Sequence, residues 1–336
     1  MRFGLGVPTA TEGLMYPIPY ADVGEAVGLA VAAEGLGFDS VWANDHLTTQ
    51  RYVREAFATP PRFFDPLTYL AFVAARTERI RLATCVLVAP FRHPVVAAKQ
   101  VATLDHLSGG RVVLGVGVGA YREEVEAIWP ERDLHRGEYT AEFIQACTAL
   151  FEGRPTSFLG RWVAFDEVES FPKPDQAHLP ILSGGNAPGA RRRAALVADG
   201  WLPACLSPAE VAAGVDEIHR LADEAGRDLG DAFEVALQVV VSVAPTREEA
   251  VARFRGSRVF AHLQSLSGST LRGQQLGTME ERNLIGTPTD VLERIDAYAA
   301  AGVDTLAGLL FAVDTVEETH AAMQFFAEEV IACSTA

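Results

Sequence analysis

Phe3-Gly-Leu-Gly-Val7, a helix-period stretch from Tyr20 to about Glu34, and Asp39-Ser-Val-Trp-Ala43 together decide the fold. Two short apolar runs flank one segment of helical length, and Gly35 and Gly37 supply the stop that ends it. Strand, helix, strand in that order is a βαβ unit, whose two strands lie parallel.

The same order repeats outward from this unit. A helix over 65–76, a strand over 80–88, a helix over 94–107 opened by Pro94, and a strand from Val112 to Val116 fill the first third of the chain. An amphipathic helix follows near 136–152. Strand signals return at Pro180–Ser183, Gly200–Pro203, Phe233–Val243 and Asp304–Leu310, with helix-period segments between them. The count approaches eight, which predicts a single α/β domain over 1–336, folded as a (β/α)8 TIM barrel. Two insertion segments break the rhythm. Residues 154–178 are polar, aromatic and irregular, and are expected to leave the barrel. Residues 263–284 are rich in Gly, Ser, Gln and Thr without a period, and read as a mobile loop or lid. The rival is an open doubly wound sheet, but its glycine fingerprint should close the first strand and open a helix, and GLGVPTATEG does not.

With 336 residues, 49% of them hydrophobic, the chain can bury a large core. No apolar run reaches the roughly 20 residues needed to span a bilayer, and the start MRFGLGVPTATEG lacks the charged-then-apolar order of a signal peptide. A cytoplasmic protein with no membrane partner is expected. Cys85, Cys147, Cys205 and Cys333 are far apart and show neither a disulfide framework nor zinc spacing. A formal charge of −16 argues against nucleic acid as a partner, which needs a basic surface. The positive charge is almost wholly arginine, densest at Arg191-Arg192-Arg193.

Several segments, in their order and spacing, resemble the bacterial-luciferase-like superfamily of flavin and deazaflavin (coenzyme F420) oxidoreductases. They are Gly35-Leu-Gly-Phe-Asp-Ser-Val-Trp-Ala-Asn-Asp-His46, Arg81–Val86, Arg92 through Arg111, Leu114-Gly-Val-Gly-Val-Gly119, Pro180–Asn186, Ala198-Asp-Gly-Trp201 and Ile285-Gly-Thr-Pro288. The resemblance covers nearly the whole chain and implies a luciferase-like barrel binding FMN or coenzyme F420.

Asp45 and His46 fall just past a predicted strand, where a barrel presents its active site. A histidine titrates near neutral pH, so His46 is the catalytic candidate, with capping or backbone bonding as the plain alternative. In the family a histidine here sits beside the cofactor ring, and Asp45 goes with it as a cofactor-side candidate. Thr84, Cys85 and Val86 end the third strand, where the family often has a non-proline cis peptide against the ring; the matching bond is Cys85–Val86. Cys85 also reads simply as a small buried core residue. Gly115, Gly117 and Gly119 remove side chains where a flat ring needs to approach, or else serve a tight turn. Sugar-phosphate dehydrogenases of the deazaflavin branch carry a glutamate next, where this chain has Ala120. Gly184, Gly185 and Asn186 precede a helix starting near Pro188, an arrangement that offers N–H groups and a positive dipole end to an anion. The resemblance makes it the cofactor phosphate; an ordinary glycine turn is the alternative. Arg191–Arg193 read as helix surface, with one facing that anion. His135 and Tyr139, four apart at a helix start, would share a face toward the phosphate or ring. Lys99, Asp105 and Arg111 are expected to pair as ions at the barrel rim.

Three functions follow. The leading one is oxidoreduction of a small organic substrate, either monooxygenation with FMN reduced by a separate reductase or F420-linked hydride transfer. A metal-dependent barrel hydrolase would need converging His and acidic residues, but the histidines show no HxH or HExxH spacing. A non-catalytic flavin-binding relative is the third. The resemblance also implies a homodimer.

Overall fold

A computed structural model describes residues 1–130, 133–266 and 279–334. Its strands are β1 (Arg2–Val7), β2 (Ser40–Ala43), β3 (Arg81–Thr84), β4 (Leu87–Val88), β5 (Val112–Gly117), β6 (Thr156–Leu159), β7 (Ala164–Val168), β8 (Ile181–Gly184), β9 (Gly200–Leu202), β10 (Glu234–Val243), β11 (Leu284–Gly286) and β12 (Thr305–Phe311). Eight of them, β1, β2, β3, β5, β8, β9, β10 and β12, pair in parallel in that order, and β12 returns to β1 to close the barrel. The predicted (β/α)8 barrel is therefore present. Trp42, Ala83, Val113, Leu182, Leu202, Ala236 and Ala307, one from each of seven strands, fill its interior.

The covering helices are α1 (Val23–Gly35), α2 (Arg51–Ala56), α3 (Pro66–Ala74), α4 (Pro94–Ser108), α5 (Arg122–Ile128), α6 (Arg136–Glu152), α7 (Pro188–Val197), α8 (Pro208–Glu224), α9 (Arg247–Gly256), α10 (Arg258–Ser265), α11 (Pro288–Ala300) and α12 (Val316–Phe326). Their starts follow local chemistry. Asp22 and Glu25 form a capping box on α1, as Ser207 and Glu210 do on α8. The Ile285-Gly-Thr-Pro288 motif resolves in the same way: Thr287 caps α11, Pro288 takes its first turn, and Asp290 completes the box.

At the N-terminal end of the barrel Glu234 is buried and ties four strands, through Arg2 at 3.1 Å, Arg81 at 3.6 Å and the Thr305 hydroxyl at 2.6 Å. Lys99, Asp105 and Arg111 correct the expectation of mutual ion pairs. Arg111 donates to the carbonyls of Ala74, Thr77, Ile80 and Ser108; Asp105 accepts from Gln176 and the Val112 N–H; Lys99 reaches the Phe171 carbonyl. The carbonyls of Ala74, Thr77, Ile80 and Ser108 end chain turns without a ladder partner, and the Arg111 guanidinium satisfies them.

Residues 154–178 do leave the barrel: β6 and β7 form a separate antiparallel hairpin. It lies along α6, where the Glu142 carboxylate accepts the N–H groups of Arg161, Trp162 and Val163. Of the segment read as a lid, 267–278 lie outside the described residues. Its flanks are regular: Leu263 belongs to α10, and Leu284 opens β11, which extends the sheet along Val241–Val243.

Candidate active site

The loops after the strands gather the candidate residues at the C-terminal end of the barrel. Beyond β2, Asn44 donates to the Cys85 carbonyl at 2.9 Å, fixing the neighbouring strand end. Asp45 is buried, and its carboxylate is taken up by Arg92 and by the Val88 N–H. Its part at a cofactor would be to hold the wall rather than to touch a ligand.

His46 comes next. Its Nδ1 lies 2.8 Å from Oε2 of Glu124, while Oε1 of the same carboxylate accepts the N–H groups of Leu47 at 2.9 Å and Thr48 at 3.3 Å. Burial pushes the Glu124 carboxyl up, but the His46 hydrogen bond and charge and the two N–H groups outweigh it, leaving the carboxyl below its usual value. An ionised carboxylate only accepts, so Nδ1 carries the proton and Nε2 is the nitrogen left for a ligand. Gln50 Nε2 sits 3.1 Å from the same Nδ1 while its Oε1 is buried without a partner. Turning that amide over would set an acceptor against Nδ1–H.

After β3 the Cys85–Val86 peptide is cis. Thr84 donates its hydroxyl to the Gly115 carbonyl at 2.8 Å and so pins β3 to β5. Burial pushes the Cys85 thiol up to about 12, in keeping with a small buried core residue. Val86 explains two of the glycines. A Cβ on Gly117 would meet a Val86 methyl at 2.4 Å, and one on Gly184 would meet another at 2.5 Å. These positions clear space first for Val86, which stands between them. Gly119 adopts φ +77°, a left-handed turn that releases the chain from β5.

Beyond Gly119 and β8 a second cluster forms. Within the 184–186 turn, the Gly185 N–H donates to the Leu202 carbonyl, its carbonyl accepts from the Trp201 indole, and the Asn186 amide brackets Ala204. The Asn186 side chain is thus a clamp between β8 and β9 rather than an open ligand. The helix that follows, α7, starts at Ala187–Pro188 with no side-chain cap. Arg193, one turn inside it, has a buried Nε without a partner, and burial pushes the guanidinium down to about 10, still charged at neutral pH. Its Nη1 lies within 4 Å of the space over both Gly189 and Gly137, so the starts of α7 and α6 face one another across it. Arg136 donates to the Gly119 carbonyl beside them. His135 caps α6 through Nδ1 and is exposed, whereas Tyr139 is buried and donates to the Arg92 carbonyl at 2.7 Å. The expected shared face is therefore not seen: the histidine rims the cluster and the tyrosine anchors α6 to the barrel.

Sequence reasoning missed Glu124, Gln50, Tyr52, Phe63, Tyr121, Arg258 and His262. Tyr121 and Phe63 flank the His46 ring at centroid distances of 5.6 and 5.4 Å, and the Tyr52 and Tyr121 hydroxyls meet at 2.9 Å. His262 is buried and held neutral, pushed down to about 4 by burial, with His46 and Arg258 adding to the shift. Gln50 lies only four residues from His46, but Glu124 is 78 away and Arg258 and His262 are farther still, and no local spacing announces them.

Among the described residues no three His, Cys, Asp or Glu side chains stand together as metal ligands. A closed parallel barrel with a histidine–carboxylate pair and a cationic cluster of Arg193 and two helix starts at its C-terminal face has the build of a barrel enzyme. The chain belongs to the luciferase-like monooxygenase family, whose model matches residues 1–305. It is 34% identical over 236 residues to an F420-dependent glucose-6-phosphate dehydrogenase of Nakamurella multipartita, covering 68% of this chain and 66% of that one. It is 31% identical over 270 residues to an FMNH2-dependent dimethylsulfone monooxygenase of Pseudomonas putida, covering 72% and 73%. Of solved structures, monooxygenase RslO1 from Streptomyces bottropensis superposes with a TM-score of 0.77 at 22% identity, covering 99% of this chain and all of that one. An F420-dependent secondary alcohol dehydrogenase gives 0.76 at 20%, covering 98% of each; at such identities the likeness speaks for the fold.

Proposed function

We propose that the protein is a flavin- or deazaflavin-dependent oxidoreductase in which His46 is the proton donor and acceptor at the barrel mouth and the α6–α7 cluster holds the cofactor phosphate. The observation that carries this reading is the buried, unpartnered Arg193 Nε beside the uncapped start of α7. A buried donor of this kind calls for an anion, and a helix start is where phosphate binds. The site residues therefore fit FMN and F420 alike, since both carry a phosphate.

When bound, the cofactor supplies the hydride, or with oxygen the oxygen-transferring chemistry. The chain's own part is narrower. Glu124 fixes the Nδ1–H form of His46, so Nε2 takes or returns a proton on the substrate oxygen. Asn44 and Thr84 hold the Cys85–Val86 wall in place. Phe63 and Tyr121 keep bulk water from the ring of His46.

The same reading places the protein in the cytoplasm, with a separate reductase if FMN is the cofactor. It also makes the protein a homodimer through α1, α3 and α4, where Val31, Phe72, Val96 and Leu107 stand exposed. Among the described residues no helix is long and apolar enough to cross a membrane.

The test offers the protein secondary alcohols with F420, and sulfones with FMNH2 under air. His46→Asn should lower turnover by about 10²–10⁴ while leaving cofactor affinity within about threefold. Unchanged turnover in that variant would remove His46 from the chemistry and favour the non-catalytic relative.

A further inference from the structure

Among the described residues, the buried side-chain polar atoms without partners are Thr11 Oγ1, Gln50 Oε1, Arg193 Nε and Arg258 Nε. All four belong to segments at the C-terminal end of the barrel, and Arg193 is accounted for above. Arg258 is on the other side of the mouth. It opens α10, donates to the Gly13 carbonyl in the loop after β1, and stacks its guanidinium 4.4 Å over the Phe57 ring. It makes no ion pair among the described residues, and residues 267–278 contain no Asp or Glu. Nearby acids are engaged or distant: Glu124 is held by His46, Glu12 by Arg62, and Asp314 is felt only through space. In a chain of charge −16 this is a cation without an ion-pair partner among the described residues, set beside half-buried aromatic rings.

We infer that the substrate carries a carboxylate that is received by Arg258, with its apolar or aromatic body lying on Phe57, Phe63 and Tyr121 toward His46. The inference rests on the function proposed above and adds the substrate class. A guanidinium laid on an aromatic face keeps its edge free for an anion, and a carboxylate oxygen would satisfy the Nε–H that now has no partner. A monoanion is the better match than a phosphate dianion. One Arg258 amino group is already given to Gly13, and His262 beside it is neutral, so the local charge is a single cation. The half-buried rings of Phe57, Phe63 and Tyr121 then provide the apolar surface that such an acid would cover.

The experiment titrates benzoate and phenylacetate, and their uncharged partners benzamide and phenylacetamide, into the cofactor-loaded protein by calorimetry. The acids should bind at least about tenfold more tightly than the amides. Arg258→Gln should remove that preference without changing amide binding, and Arg258→Lys should restore part of it. Melting temperature and cofactor affinity, read on the same samples, report whether each variant is folded. Acids binding no better than amides, a preference that survives Arg258→Gln, or no binding of any probe would each overturn the inference. If neither FMN nor F420 binds, the proposed function fails instead, and the acid–amide comparison on cofactor-free protein still reads Arg258 by itself.

Discussion

His46 and Glu124 meet at 2.8 Å although 78 residues separate them. At the residue scale the proposed chemistry rests on this pair, because a carboxylate that can only accept fixes which imidazole nitrogen is free. Glu124→Gln replaces it with an amide able to donate as well as accept. The Nδ1–H tautomer should then lose its preference in 15N spectra of the histidines, and turnover should fall about 10- to 100-fold with little change in cofactor affinity. An unaltered spectrum would make Glu124 purely structural. His262 yields a second prediction. Its folded pKa, pushed down to about 4, lies below the ordinary value of 6.5. The unfolded chain therefore takes up a proton first as the pH falls through 6.5, and folding stability drops between 6.5 and 4. By pH 5 this one group should cost about 2 kcal/mol relative to neutral pH. Denaturant melts at pH 7.5 and 5 should show that loss in the wild type and a smaller one in His262→Phe. Of these residues the sequence singled out His46, because a histidine after a strand is a local signal. Glu124 and His262 sit on helices among other charged residues, and only closure of the barrel brings them to the mouth.

At the scale of elements, strands and long helices were legible and short ones were not. The βαβ unit at 3–43 was readable because the apolar runs of β1 and β2 are bounded by glycine and a full helix. The strand predicted over 80–88 is interrupted, since the chain turns at Cys85–Val86 and resumes as β4. β11 was hidden because three residues carry no period, and the α2 hexamer was hidden for the same reason. Gly117 was read as a site of close approach for a ring and Gly184 as part of an anion-binding turn, but the group both admit in the structure is Val86. Gly117→Ala and Gly184→Ala should each cost about 1–3 kcal/mol through overpacking, and adding Val86→Ala should recover most of that in either background. If Val86→Ala gives no recovery in thermal melts, the glycines serve the backbone instead.

On the scale of the whole molecule, one end of the barrel is satisfied and the other is left open. Glu234 and its partners close the N-terminal end, whereas, among the described residues, the buried polar atoms lacking partners belong to segments at the C-terminal end. The proposed function thus falls to one face and the satisfied polar network to the other, as this architecture allows. The exposed apolar residues of α1, α3 and α4 lie on the flank, and light scattering should report a dimer that Phe72→Glu with Leu107→Glu converts to monomer. A monomeric wild type would assign those side chains no interface. In the proposed function the mouth holds a phosphate-bearing ring cofactor, with its phosphate at Arg193 and the starts of α6 and α7. The direct measurement compares the affinity of FMN with riboflavin, and of F420 with its phosphate-free chromophore, in wild type and Arg193→Ala. The phosphate-bearing form of at least one pair should bind about tenfold or more tightly, and Arg193→Ala should erase most of the difference. Equal affinity with and without the phosphate, or no binding of either cofactor, would contradict the account.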